Sequence, residues 1–140
     1  RGIAVGRHRG ALFYTIGQRK GLGMGFGRRV YVLEKNMDRN TITVGDRSQW
    51  PFGGFFVERV NFMKIPSLTG PLPARVKVRY RQDAQEALLV PMAGGGMAVR
   101  YEGLFSPGQL AVAYDEKDEL LCAGIIHSPL KDIPGSPEVR

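Results

Sequence analysis

Few residues in this sequence are equipped for bond-making chemistry. Its two histidines, His8 and His127, lie far apart, and its one cysteine, Cys122, sits in the apolar run Leu120-Leu121-Cys122-Ala123-Gly124-Ile125-Ile126. One cysteine excludes an internal disulfide and a multi-cysteine metal site. In an apolar strand it behaves as a small buried hydrophobe, because a reactive thiol needs an electropositive, accessible setting. Two distant histidines make neither a metal pair nor a triad without carboxylates that the sequence does not place beside them. No catalytic residue and no metal ligand is therefore assigned. What remains is the chemistry of contact, carried by cations, amides and glycines.

Two stretches hold such groups at a useful spacing. Tyr14–Gly25 reads Tyr-Thr-Ile-Gly-Gln-Arg-Lys-Gly-Leu-Gly-Met-Gly, with Gln18, Arg19 and Lys20 among four glycines. Glycine admits positive φ and close backbone approach, so this run reads as a shaped loop. It can meet phosphates or an RNA backbone through N–H groups and side chains, or be a plain connection with solvated charges. It is not a Walker loop, since no Gly-Lys-Ser/Thr follows, and no βαβ pattern makes it a dinucleotide fingerprint. The second stretch is Arg75-Val76-Lys77-Val78-Arg79-Tyr80-Arg81. Its period of two predicts a strand with Val76, Val78 and Tyr80 on one face and the four cations on the other. Same-face cations would then stand roughly 7 Å apart in a row. Such a row can follow a nucleic-acid backbone, or it can guard an exposed edge strand against aggregation.

Composition narrows the setting for these groups. The 140 residues suffice for one ordinary domain or two small ones. An apolar fraction of 43% with 24% charged residues is that of a soluble globular protein. No apolar run reaches the ~18 residues of a membrane span and no signal peptide opens the chain, so no membrane partner is expected. With a lone cysteine, the expected location is cytoplasmic. The net charge of +7 is uneven: residues 1–50 hold ten Lys/Arg against three Asp/Glu, and residues 51–140 hold ten against ten. That asymmetry points to an anionic partner for the first segment.

The elements that must position these stretches are short strands. Residues 1–10 have no cap and no helical period, and read as a strand fragment and turn in a chain that starts partway into a module. Ala11–Tyr14 is a short apolar strand, and Arg29–Glu34 with Thr41–Val44 reads as a hairpin. The aromatic cluster at 48–56, with Trp50, Phe52, Phe55 and Phe56, is read as a core or interface plug instead of a base-stacking platform. Beyond a boundary near Phe56–Arg59, strands are expected at Val57–Phe62, Arg75–Arg81, Glu86–Val90, Gly96–Tyr101, Leu110–Tyr114 and Leu120–Ile126. Six short strands at turn-bounded spacing argue for a small closed barrel. No helix longer than a turn or two is expected. The segment 129–140, with three prolines from Pro129 onward, reads as a flexible tail.

Three ordered segments carry a resemblance. Tyr14-Thr15-Ile16-Gly17-Gln18-Arg19-Lys20-Gly21-Leu22-Gly23, Val78-Arg79-Tyr80-Arg81-Gln82, and Ser106-Pro107-Gly108-Gln109-Leu110-Ala111-Val112-Ala113-Tyr114 resemble signatures of the bacterial tRNA-specific 2-thiouridylases, a family once labelled tRNA methyltransferases. The likeness covers roughly the first 128 residues and only the family's C-terminal portion. It implies a mainly β chain: residues 1–57 as the remainder of a central adaptor module, and 58–128 as a six-stranded barrel like that of elongation factors. By the same resemblance Arg79 contacts tRNA through phosphate, Tyr80 by stacking or hydrogen bonding, and Gln109 likewise. Gln18, Arg19 and Lys20 are candidates for a further RNA or interdomain contact. The period-two face puts Tyr80 opposite Arg79, which a shared surface would tolerate only if the strand ends or bulges there.

The family's chemistry is implied to reside elsewhere. Its N-terminal domain binds ATP through a Ser-Gly-Gly-x-Asp-Ser loop, and a cysteine pair delivers sulfur to the wobble uridine of the tRNAs for Lys, Glu and Gln, fed by a sulfur-relay donor protein. Neither the loop nor the pair occurs here, and Cys122 stands where the family usually has glycine. The expectation is a tRNA-docking portion, inactive alone and with no cofactor of its own. The alternatives are a stand-alone barrel that binds RNA or a translation factor without any modification role, and a packing scaffold whose cations are solvated.

Overall fold

The computed structural model describes residues 4, 6, 10–19 and 29–133. They divide into two compact units, the first reaching Pro51 and including Leu104–Ser106, the second comprising Phe52–Gly103 and the chain from Pro107. In the first unit, β1 (Tyr31–Asn36) and β2 (Thr41–Gly45) form the expected antiparallel hairpin. Asn40 closes its turn at φ 54°, a left-handed conformation that asparagine tolerates. The Asn40 side chain also accepts the Ala11 N–H at 2.8 Å. Ala11–Phe13 is a 3-10 turn, which corrects the strand expected at 11–14. Ala11 and Tyr14 are buried while Leu12 and Phe13 face solvent, a period of three where a strand needs two. Tyr14 packs with Val30 and Val32 against Ile16, Ile42 and Val44.

The aromatic cluster at 48–56 is packing material. Trp50 meets Phe105 edge-on, with ring centroids 5.2 Å apart, inside the first unit. Phe55 is fully buried in the second unit, against Tyr101 at 5.6 Å.

The second unit is mainly β and closes on itself. Its strands are β3 (Gly54–Val57), β4 (Asn61–Phe62), β5 (Leu72–Lys77), β6 (Gln85–Pro91), β7 (Met97–Arg100), β8 (Leu110–Tyr114) and β9 (Leu120–Leu130). All pairings are antiparallel in the order β3-β7-β6-β5-β8-β9, and β3 also pairs with β9, which completes a six-stranded barrel. β4 adds to β9 through Asn61↔Ala123 and Phe62↔Cys122. Inward residues Phe55, Val57, Val76, Leu89, Val99 and Ile126 are almost wholly buried.

Several strand boundaries differ from expectation, three of them with consequences for the barrel. The run Val57–Phe62 is the end of β3, a bend, and β4. β5 stops at Lys77, four residues short of Arg81. β9 continues past Ile126 to Leu130 and lays Ser128, Pro129 and Leu130 against β3. Closure depends on that last extension, because it supplies β3 with its second neighbour.

Gly54 sits between those two neighbours with no room to spare. A Cβ there would lie 1.8 Å from the Val99 carbonyl oxygen, whereas one at Gly70 would meet nothing within 4 Å. Gly54→Ala is therefore expected to cost about 3 kcal/mol or more, as severe overpacking does. Gly70→Ala should leave the urea midpoint unchanged, and equal midpoints for the two variants would contradict this account of closure.

The β8–β9 turn is tied by charge. Asp115 is buried and accepts the backbone N–H groups of Lys117 and Glu119, both at 2.8 Å. Lys64 bonds both Asp115 and Glu119, and Arg75 pairs with Asp118. The Lys64 hydrogen bond, and next the Glu119 N–H, bring the Asp115 carboxyl from its ordinary 3.8 down to about 2. The same pairing pushes the Lys64 ammonium above its usual range. A depressed carboxyl favours the fold where it is ionised, so this stabilisation is complete above 3.8 and is lost as pH falls through about 2. In thermal melts Asp115→Asn should be less stable than wild type near neutrality. The gap should close on acidification across that window, and a pH-independent gap would refute the assignment.

Candidate nucleic-acid interface

The most exposed aromatic ring among the described large hydrophobics belongs to Tyr80, 91% accessible. Its position follows from where β5 ends. Alternation holds through Val76 and Val78, both buried, and then breaks: Arg79, Tyr80 and Arg81 are all exposed. These three residues form the tip of the turn between β5 and β6, closed by the Gln82 N–H on the Arg79 carbonyl at 3.3 Å. The expectation that Tyr80 shares the inner face with Val76 and Val78 is thus corrected. Ending the strand at Lys77 releases Arg79 and Tyr80 from opposite faces and puts both in one exposed turn.

The four-cation row is corrected by the same fact. Arg75 and Lys77 remain on β5, where Arg75 pairs with Asp118 and the Lys77 ammonium lies 5.7 Å from the Tyr114 ring centre. Arg79 and Arg81 stand apart from them at the turn. A guanidinium and a phenol ring presented together can hold a phosphate oxygen and stack on an unpaired base.

Gln109 reaches the same end of the barrel by register. β5 and β8 run antiparallel with Lys77 opposite Val112. Continuing β5 forward leads to Val78 and Arg79, and following β8 backward leads to Ala111, Leu110 and Gln109. The 78–84 turn and the 107–109 loop therefore leave neighbouring strands at one end. Gly108 turns that loop at φ 95°, and the Gly108 N–H and Gln109 carbonyl both bond Ile126 at 2.8 Å. Gln109 is half-buried.

The candidates in the first unit have another character. Gln18 closes a turn in which its N–H bonds the Thr15 carbonyl and its side-chain oxygen accepts the Thr15 N–H, each at 2.9 Å. Gly17, third in that turn, has φ 88°, and a Cβ on it would lie 2.0 Å from the Phe105 carbonyl oxygen, so no other residue fits. The Gln18 amide oxygen is thus engaged within its own turn, while Arg19 is exposed beside it. Lys20 lies outside the described residues, as do His8 and the glycines from Gly21 to Gly25.

Among the described residues, the groups suited to bond-making chemistry lie apart. Cys122 is fully buried and burial pushes its thiol up to about 11, which disfavours the thiolate. His127 is exposed, 3.8 Å from Glu58 and beside the Phe56 ring. Among the described residues no cluster of three His, Cys, Asp or Glu could hold a metal ion, and no helix is long and apolar enough to cross a membrane. Sequence reasoning missed Gln82 and Tyr101, which hold the exposed turn. Gln82 stood within the segment quoted for the resemblance, but nothing in its type showed that its amide would turn back toward Val78.

Residues 1–46 match the family described as the tRNA methyl transferase PRC-barrel domain, and residues 52–126 match the aminomethyltransferase beta-barrel domain. The chain is similar to the tRNA-specific 2-thiouridylase MnmA of Clostridium perfringens strain 13, with 38% identity over 133 residues, 92% of this chain and 36% of that protein. It is also similar to the enzyme of the same name from Picosynechococcus, 37% identical over 91% of this chain and 37% of the relative. The corresponding protein of Nitratidesulfovibrio vulgaris is 38% identical over 93% and 37%. The chain thus spans little more than a third of the length of these relatives. With both consecutive domains matched, the chain belongs to the tRNA-specific 2-thiouridylase family, as a C-terminal portion of it.

Proposed function

We propose that this chain docks tRNA for a 2-thiouridylase, holding the anticodon arm while a catalytic domain outside these residues performs ATP-dependent 2-thiolation of the wobble uridine. The observation that carries the reading is the β5–β6 turn, which exposes both Arg79 and a 91%-accessible Tyr80 at its tip. Arg79 binds a backbone phosphate and Tyr80 stacks on an unpaired base of the loop, with Gln109 adding an amide contact from the neighbouring loop. In the first unit Arg19 offers a separate phosphate contact, as would Lys20. On this reading the chain is inactive alone. It orients a substrate, and orientation raises rate without supplying chemistry. ATP and the persulfide-forming cysteines belong to the catalytic domain, sulfur comes from a relay donor protein, and the substrates are the tRNAs for Lys, Glu and Gln.

The test is binding to an anticodon stem-loop across a salt series. Wild type should bind, weakening steeply as salt rises. Arg79→Ala should weaken binding and make the log–log salt slope shallower by about one unit. Tyr80→Ala should weaken binding about tenfold with the slope retained, as loss of one stacked base does. Both side chains are exposed, so neither change should move folding stability by more than about 0.5 kcal/mol. Absent binding, or binding indifferent to both substitutions, would show these residues to be scaffold.

A further inference from the structure

The exposed turn is bridged at its base by the Gln82 side chain. Gln82 is half-buried, and its amide oxygen accepts the Val78 N–H at 2.9 Å while its amide nitrogen donates to the Tyr101 hydroxyl at 2.8 Å. A backbone N–H can only donate, so it fixes which end of the amide faces Val78 and which faces Tyr101. Both anchors are buried. Val78 is 3% exposed and follows directly on the last residue of β5. Tyr101 is 1% exposed, its N–H bonds the Gly53 carbonyl at 2.9 Å, and its ring lies against Phe55 in the barrel core. A second tie runs from the Gln85 amide to the Glu102 carbonyl, just beyond the turn. Arg79, Tyr80 and Arg81 are the only turn residues between Val78 and Gln82, so the bridge spans the whole exposed tip.

We infer that Gln82 is a positioning residue for RNA docking: through Val78 and Tyr101 it pre-orders the Arg79–Tyr80 tip without touching RNA itself. The inference rests on the docking role proposed above. A tip already fixed loses less conformational freedom on binding, so the same two contacts give a tighter complex. Without the clamp, both side chains would still be present but would have to be ordered by the RNA.

The experiment adds Gln82→Ala, Tyr101→Phe and their double variant to wild type and Arg79→Ala in the stem-loop salt series, with hydrogen exchange followed at the Val78 amide. Gln82→Ala should weaken binding roughly five- to tenfold at every salt concentration, the loss expected for one or two hydrogen bonds, with the wild-type slope retained. Its Val78 amide should exchange faster. Tyr101→Phe keeps the buried ring and cannot itself meet RNA, yet it should weaken binding in the same direction. The double variant should be no weaker than Gln82→Ala alone, because both changes break one bridge. Wild-type affinity in both Gln82→Ala and Tyr101→Phe would overturn the positioning role. So would a loss confined to Gln82→Ala, which would make Gln82 a direct RNA contact. Failure of the wild-type chain to bind would instead overturn the docking role on which the inference stands.

Discussion

Pairing of β3 along both of its edges is the constraint on which the barrel depends. Four residues, Gly54 to Val57, bond β7 on one side and β9 on the other. Without them β7 and β9 would be open edges, available to other chains. With them the strand order is closed, and β5 and β8 become neighbours that emit their turn and loop at one end. The interior is narrow enough that small residues are required on one side. Ala111 and Ala113 of β8 face Gly124 and Cys122 of β9 across the ladder, and a Cβ on Gly124 would lie 2.4 Å from a Val57 methyl carbon. A six-stranded barrel has little volume to fill, and these residues fill it without forcing the wall apart.

Closure also sorts the charges of the strand that looked most like an RNA contact. Arg75, close to the β8–β9 turn, is taken up by Asp118 of that turn. Lys77, two pairs further along, rests near the Tyr114 ring. Both are partly covered and serve the wall. Only when β5 leaves the ladder do its cations become available, and they do so at the end opposite the acidic turn 115–119. One run of alternating residues thus divides by position into two structural cations and two presented ones.

Most of the barrel was legible because short apolar runs bounded by turn residues mark its strands. The β8 run Leu110–Tyr114 and the β6 run within Gln85–Pro91 are continuous apolar stretches of this kind, each flanked by turn residues. Two of the failures share one cause: side-chain hydrogen bonds decided the backbone where pattern did not. Asn40 captures the Ala11 N–H and favours a 3-10 turn over a strand. Gln82 captures the Val78 N–H and ends β5 although Tyr80 keeps the alternation going. β9 was cut short for the opposite reason. Pro129 is a strand breaker by type, yet it sits opposite Phe55 in the β3–β9 ladder, beside a register shift. As for the site, Arg79, Tyr80 and Gln109 entered through resemblance. Their meeting at one end of the barrel followed only from the register of β5 on β8.

The charge balance sets what kind of recognition such a turn can perform. Residues 51–140 hold ten cations and ten acids, so the barrel has no net charge with which to draw a polyanion from afar. Screening over about 8–10 Å at physiological salt removes what a local excess at Arg79 and Arg81 would add at distance. On the docking reading, long-range attraction falls to the first segment, with its ten cations against three acids, and the turn acts at contact. Contact favours a different property of RNA. A phosphate is present at every nucleotide, whereas a base face is open to a tyrosine ring only where the base is unstacked, as in a loop. A ring held at a fixed height and angle tests for that open face; a ring on a loose turn could tuck against a ribose or a duplex groove as readily. On the docking reading, discrimination at Tyr80 would depend on rigidity more than on charge, and the buried anchors Val78 and Tyr101, bridged by Gln82, are placed to supply it from inside the barrel wall.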